Sequence, residues 1–330
     1  MKEFLSPAAV LAFLLLVPGC AELAEMGRTL GEEAGILSAQ EEEEVEQLVG
    51  QSTSAVRPMT DQEEYFLGRA VAATILSRYR LYGDPRWTQY LNEVGQTVAL
   101  ASDRPLPYGG YHFAILDSEE INALSCPGGM IFISRGMLRQ VKTEDELAAI
   151  LAHEVAHVNH RDGAAAVQRS RWTQVVTLLG TQAAQKYGGP ELNELVSLFQ
   201  GSVQDVVKTL LVNGYSRQEE SEADESALTF LHRLGYNPYA LPDTLERMAQ
   251  RQGQGNTGGI FATHPGIRYR ASADMAVISQ NKWAKENNPA RDQRFRQVFA
   301  SLQGKNSGDL SDEVNRRLYS CSDFLAFDRF

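Results

Sequence analysis

His153 and His157 stand four residues apart, with Glu154 directly after the first, in the run His153-Glu154-Val155-Ala156-His157. On an α-helix, residues four apart lie one above the other, so both imidazoles can reach one divalent ion. Glu154 projects about 100° further round the helix, where a carboxylate can take a proton from a water polarised by that ion. Zinc suits two neutral imidazoles and a carboxylate, and one Zn²⁺ per chain is expected. The chemistry in view is metal-assisted hydrolysis, provided a third ligand comes from elsewhere.

His160 is a poor candidate, because three ligands on one straight helix do not easily converge; it reads as a surface or outer-layer residue. A third histidine ten residues after the first would indicate another class of zinc site, but that position holds Gly163. The better ligand lies about sixty residues on, in the stretch from Tyr215 to Asp224, which opens a helix running to about Leu234 and stopped by Gly235. Helical spacing puts Glu220 and Asp224 on the face shared with Ala223, Ala227 and Phe230, while Glu219 and Glu222 fall on the polar side. Glu220 is therefore the expected third ligand. Asp224, one turn later, is placed to accept a hydrogen bond from a ligating imidazole and fix its tautomer.

The elements that must hold these groups can be read in outline. Thr143, with Glu146 three residues on, forms a capping box before the stripe Leu147, Ile150, Leu151, Val155 and Val158. Upstream, Tyr111 to Leu116 alternates as a strand, Asp117 to Ala123 reads as a turn, and the break at residues 126–129 leads into a second strand. That second strand, Met130, Ile131, Phe132 and Ile133, stands just before the metal helix, and we read it as an edge strand able to bind an extended substrate. Helices are expected from Thr60 to about Tyr79, from Pro85 to about Val98, over much of 164–213 with a break at Gly188-Gly189-Pro190, and from Pro242 to Gln250. The fold class is α+β, mainly helical, with a small sheet.

The chain has 330 residues and a net charge of −11, which argues against nucleic acid as a partner, since phosphate binding requires clustered Lys and Arg. Lys2, the apolar run Phe4 to Val17 and then Cys20 have the form of a lipoprotein signal over 1–19, with lipid attached at Cys20. Ala21 after that cysteine is consistent with sorting to the inner leaflet of an outer membrane, facing a periplasm. An acidic tether follows over 20–57, then a metal-binding domain over 58–281 and a charged, partly helical extension over 282–330. Cys126 and Cys321 remain, either as a bonded pair or as two thiols.

Five separate matches in order resemble one zinc-peptidase family, the one that includes HtpX and the CAAX prenyl protease. They are Ile121-Asn122-Ala123, Pro127-Gly128-Gly129, the His153/Glu154/His157 helix, Ser216-Arg217 through Glu220 to Ala223-Asp224, and Thr263-His264-Pro265 with Arg270. The likeness is strongest to its soluble periplasmic lipoprotein branch, typified by BepA and LoiP. It implies a compact gluzincin-type domain and an endopeptidase acting on unfolded or misassembled envelope proteins in quality control. It also makes His264 and Arg270 candidates for assisting at the scissile carbonyl or for gating, since the corresponding histidine of that branch approaches the zinc and restrains activity. Arg161-Asp162 departs from the Arg-His common after this family's metal helix, and neither membrane-spanning helices nor C-terminal helical repeats are visible. A non-cutting assembly factor that binds extended chains is the alternative, and a structural zinc domain is a third reading.

Overall fold

The structure, a computed structural model, describes residues 58–167, 200–252 and 258–304. The signal and acidic tether with Cys20, the break at 188–190, the extension beyond 304 and Cys321 lie outside the described residues. From Thr60 on, the described residues belong to one compact unit.

Helix α1 (Asp61–Leu76) begins with a reciprocal cap: Glu63 N–H donates to Thr60 Oγ1, and Thr60 N–H donates to the Glu63 carboxylate at 2.8 Å. Helix α2 (Pro85–Leu100) is capped by Asp84 and buries Trp87, Tyr90, Leu91, Val94 and Val98 on one face. Three strands follow, β1 (His112–Leu116), β2 (Ala123–Cys126) and β3 (Met130–Ser134), in the order β1-β3-β2. β3 runs parallel to β1 and antiparallel to β2.

This order corrects the sequence reading of Met130 to Ile133. They form the central strand of the sheet, paired on both sides, and cannot serve as an edge. The edges are β1, whose outer side is bonded by Tyr82 N–H to Ile115 O and by the Asn92 amide to Phe113, and β2, a four-residue strand hidden in a stretch of turn and break residues and formed through its pairing with β3. The tight connection between β2 and β3 passes through Gly128 at φ +73°, a left-handed conformation that favours glycine. α1 lies directly on this turn: a Cβ at Gly68 would sit 1.7 Å from the Pro127 carbonyl oxygen, so the approach requires glycine.

A short helix α3 (Arg135–Leu138) leads to the metal helix α4 (Glu144–His160). α4 is the centre of the molecule, buried on all sides from Glu144 to Val158, and so it shows no exposed polar stripe. It ends at Arg161, whose left-handed φ of 62° turns the chain back into α5 (Asp162–Ala165). After α6 (Gln200–Lys208) and a π-turn at Thr209–Asn213 comes α7 (Arg217–Arg233), capped by Ser216 and packed along α4. Helices α8 (Ala240–Gln252), α9 (Ile260–Thr263), α10 (Ile267–Asn281) and α11 (Pro289–Gly304) complete the described chain.

α11 falls in the stretch read as a charged extension, yet Phe295 and Phe299 are each 1% exposed and belong to the core beside Trp87 and Tyr90. The same helix grips the start of α4. Arg294 Nε and Nη2 each donate to the Glu144 carboxylate at 2.5 Å, where the Tyr90 and Tyr236 hydroxyls also donate. Arg291 pairs with Asp145 at 3.3 Å.

Candidate metal centre

Four buried side chains from three elements converge: His153 and His157 from α4, Glu220 from α7, and His264 at the end of α9. One ligand-capable atom from each lies within 4.8 Å of all the others. The Nε2 atoms of His153 and His157 are 3.1 Å apart, His264 Nδ1 is 3.2 Å from His153 Nε2 and 2.9 Å from Glu220 Oε1, and Glu220 Oε1 is 3.5 Å from His157 Nε2.

Both helical imidazoles are oriented from behind. His153 Nδ1 donates to Asp224 Oδ1 at 2.9 Å, and His157 Nδ1 donates to Asp162 Oδ2 at 2.7 Å. Protonation at Nδ1 leaves the two Nε2 lone pairs facing each other, an arrangement that calls for a cation between them. Asp162 was not identified from the sequence, where it stood only as a departure after Arg161. It reaches His157 because the left-handed Arg161 reverses the chain at the end of α4. His160, by contrast, is exposed and 3.0 Å from Ser226 Oγ.

Glu154 is 1% exposed, and neither carboxylate oxygen has a hydrogen-bond partner among the described residues. His264 Nε2 lies 3.8 Å from Glu154 Oε1. A buried carboxylate without partners is costly, on the order of several kcal/mol, unless a cation or ordered water faces it. The donor chemistry and this orphaned base together fit a divalent metal held by His153, His157 and Glu220, with His264 able to reach the same ion.

Arg270 sits on the far side of the ligands. Its Nε and Nη2 grip the two Asp224 oxygens at 2.6 Å each, and Nη1 donates to Glu220 Oε2. The guanidinium is thus committed to the carboxylates that hold and orient the metal ligands. Burial opposes ionisation of Glu220, but the His264 and Arg270 charges outweigh it and hold the carboxyl well below its usual range. Burial likewise opposes charge on His157 while Asp162 and Glu220 favour it, so a proton and a metal ion compete for its Nε2; burial and the Arg270 charge lower the pKa of His153. Burial, followed by the Glu154 charge, pushes the Tyr215 phenol well up.

Behind Arg270 lies Asp274, 3% exposed, whose Oδ2 is also without a partner among the described residues. Burial and the Asp224 charge raise its pKa to about 8, against the pull of Arg270. An acid whose folded pKa is raised holds its proton more tightly folded than unfolded, so stability falls as pH rises from about 4 towards 8. Asp274→Asn removes that loss. Its advantage in thermal melts should be small near pH 4.5 and grow by up to about 1.4 kcal/mol per pH unit until about pH 8. An advantage independent of pH would show that the carboxyl does not titrate in this way.

Residues 85–274 match the family model described as peptidase family M48, more than half of the chain. The chain belongs to peptidase family M48. The matched span holds every residue of the site just described, and M48 peptidases are metal-dependent. Among M48 relatives, the beta-barrel assembly-enhancing protease of Yersinia pestis is 28% identical over 222 residues, covering 64% of this chain and 43% of its own length. The metalloprotease LoiP of Escherichia coli is 26% identical over 231 residues, 68% of this chain and 83% of LoiP. The mitochondrial metalloendopeptidase OMA1 of Schizosaccharomyces pombe is 32% identical over 150 residues, 45% of this chain and 41% of OMA1. Among the described residues, no helix is long and apolar enough to cross a membrane.

Proposed function

We propose that this M48 chain is a zinc-dependent endopeptidase of the bacterial cell envelope, anchored through lipidated Cys20 to the inner leaflet of the outer membrane, that cuts misfolded or misassembled envelope proteins. The observation that carries the peptidase reading is the orphaned Glu154 carboxylate, buried beside the converged His153, His157 and Glu220. The relatives' names support the envelope setting, and the signal-like first twenty residues support the anchor.

Zinc, when bound, supplies Lewis acidity that polarises the scissile carbonyl and acidifies a water molecule. Glu154 takes that water's proton on a carboxylate oxygen as the oxygen adds to the carbonyl carbon. It then passes the proton to the departing amine nitrogen as the C–N bond breaks. Asp224 and Asp162 hold the two imidazoles in the tautomer that leaves Nε2 free for the metal.

Extended substrate fits the outer edge of β2. Ser134 N–H donates to Asn122 O, so in this antiparallel ladder the main-chain groups of Ala123 and Ser125 point away from β3. Ile260 N–H donates to Ile121 O next along the same edge, joining it to the segment that carries His264. His264 stands where a fourth ligand would, which favours a resting state restrained by this histidine until substrate displaces it.

The test is direct. Purified protein incubated with an unfolded outer-membrane protein should cut it, stop on chelation and resume with added zinc. Comparing envelope proteomes of wild type and Glu154→Gln should reveal accumulated proteins as substrates. Identical proteomes together with no cleavage in vitro would favour the assembly-factor reading instead.

A further inference from the structure

Tyr215 is the residue before the Ser216 cap of α7, and its N–H donates to Thr263 O at 3.1 Å, fixing it against the segment that leads into His264. Its ring lies nearly parallel on the His157 imidazole, with centroids 4.1 Å apart and an interplanar angle of 19°. Tyr215 is 6% exposed, and its hydroxyl has no hydrogen-bond partner among the described residues.

Other buried tyrosines of the described chain differ. Tyr90 and Tyr236 donate to Glu144, and Tyr111 donates to Arg104 O and accepts from Asn159. Buried hydroxyls normally find such partners because leaving one unmade is destabilising. The Tyr215 hydroxyl is also one of three orphans grouped here. Both Glu154 oxygens lack partners, and the Ser125 hydroxyl beside Tyr215, on edge strand β2, lacks one too. Unsatisfied polar groups gathered round a buried reactive base mark the place where another molecule's polar atoms belong.

The donors suggested by the sequence for the developing oxyanion are otherwise engaged. Arg270 is spent on Asp224 and Glu220, and His264 Nδ1 is 2.9 Å from Glu220 Oε1. The Tyr215 phenol, stacked on a metal-ligand imidazole, is uncommitted, as is the smaller Ser125 hydroxyl beside it.

We propose that Tyr215 is a catalytic residue whose hydroxyl donates a hydrogen bond to the scissile carbonyl oxygen as that oxygen gains negative charge. The assignment rests on the peptidase reading above. The stack on His157 sets the phenol's position relative to the metal ligands, so the donor is in place before substrate arrives and needs no rearrangement during the reaction.

Tyr215→Phe tests it, because the ring and its stack are kept and only an unpaired hydroxyl is lost. With the zinc-loaded enzyme and a fluorogenic peptide, kcat should fall about a hundredfold while KM changes by less than about twofold. Zinc content and melting temperature should stay at or above wild-type values. A phosphinic peptide, whose tetrahedral anionic group mimics the addition state, should bind less tightly by the same factor in calorimetry. The affinity of uncleaved peptide for Glu154→Gln should be unchanged when Tyr215→Phe is added.

Wild-type kcat in Tyr215→Phe, unaltered phosphinate affinity, a loss confined to KM, or a loss that tracks zinc content would each overturn the assignment. If wild type cuts peptide and binds phosphinate while the variant matches it, Tyr215 alone is ruled out. If wild type does neither, the peptidase reading fails and the assignment fails with it.

Discussion

Glu154→Gln should lower kcat by about a thousandfold, within the range of 10²- to 10⁴-fold for a positioned acid–base group, without loss of metal. The substitution removes the proton acceptor and nothing that holds the ion, since Glu154 is not among the four converging side chains. It should also leave the protein as stable as wild type or more so. The native carboxylate is 1% exposed with both oxygens unpartnered, a strained arrangement that a neutral amide relieves. Turnover of a fluorogenic peptide, metal analysis and thermal melts check the three parts together. A loss under tenfold would assign the base to another residue, and a loss accompanied by missing metal would make Glu154 a ligand.

The second large effect is on stability. Arg270→Ala should cost about 3–5 kcal/mol, which for a domain of this size is on the order of 10 °C in melting temperature. Arg270 is 3% exposed and is gripped by Asp224 on one side and Glu220 on another, with Asp274 behind. Truncation leaves those buried carboxylates without their cation. The loss should be larger in chelated than in metal-loaded protein, because a bound divalent ion supplies part of the missing positive charge near Glu220. Arg270→Lys should recover some of the stability, as charge is restored but the fork onto Asp224 is not. A change within 1 kcal/mol, or one independent of metal, would count against this view of Arg270 as the counter-charge of the ligand carboxylates.

What the sequence made legible follows from the range of the interactions involved. The pair His153/His157 and the placing of Glu220 and Asp224 on one face depend only on helical spacing, and all four residues lie in the site. Asp162 depends on one backbone conformation, the left-handed Arg161, and nothing in residue type signals it. The central place of β3 depends on pairing with β2, whose four residues read as turn and break until the partner strand is present. Phe295 and Phe299 were lost in a charged stretch because their four-residue spacing matters only once Trp87 and Tyr90 are there to receive them. Tyr215 enters the sequence reading only as the first residue of the stretch that opens a helix. Its lack of a hydrogen-bond partner is a property of the folded site alone.

The grip of α11 on α4 carries a consequence for how the enzyme is made. A chain that emerges N-terminus first presents His153, Glu154 and His157 long before the aromatic pair that closes the core around their helix. Until residue 294 is delivered Glu144 has no arginine, and until residue 299 the ring cluster around Trp87 is incomplete. Cutting capacity therefore waits on α11: a chain still lacking residues 294–299 carries the cutting residues without the frame that aligns them.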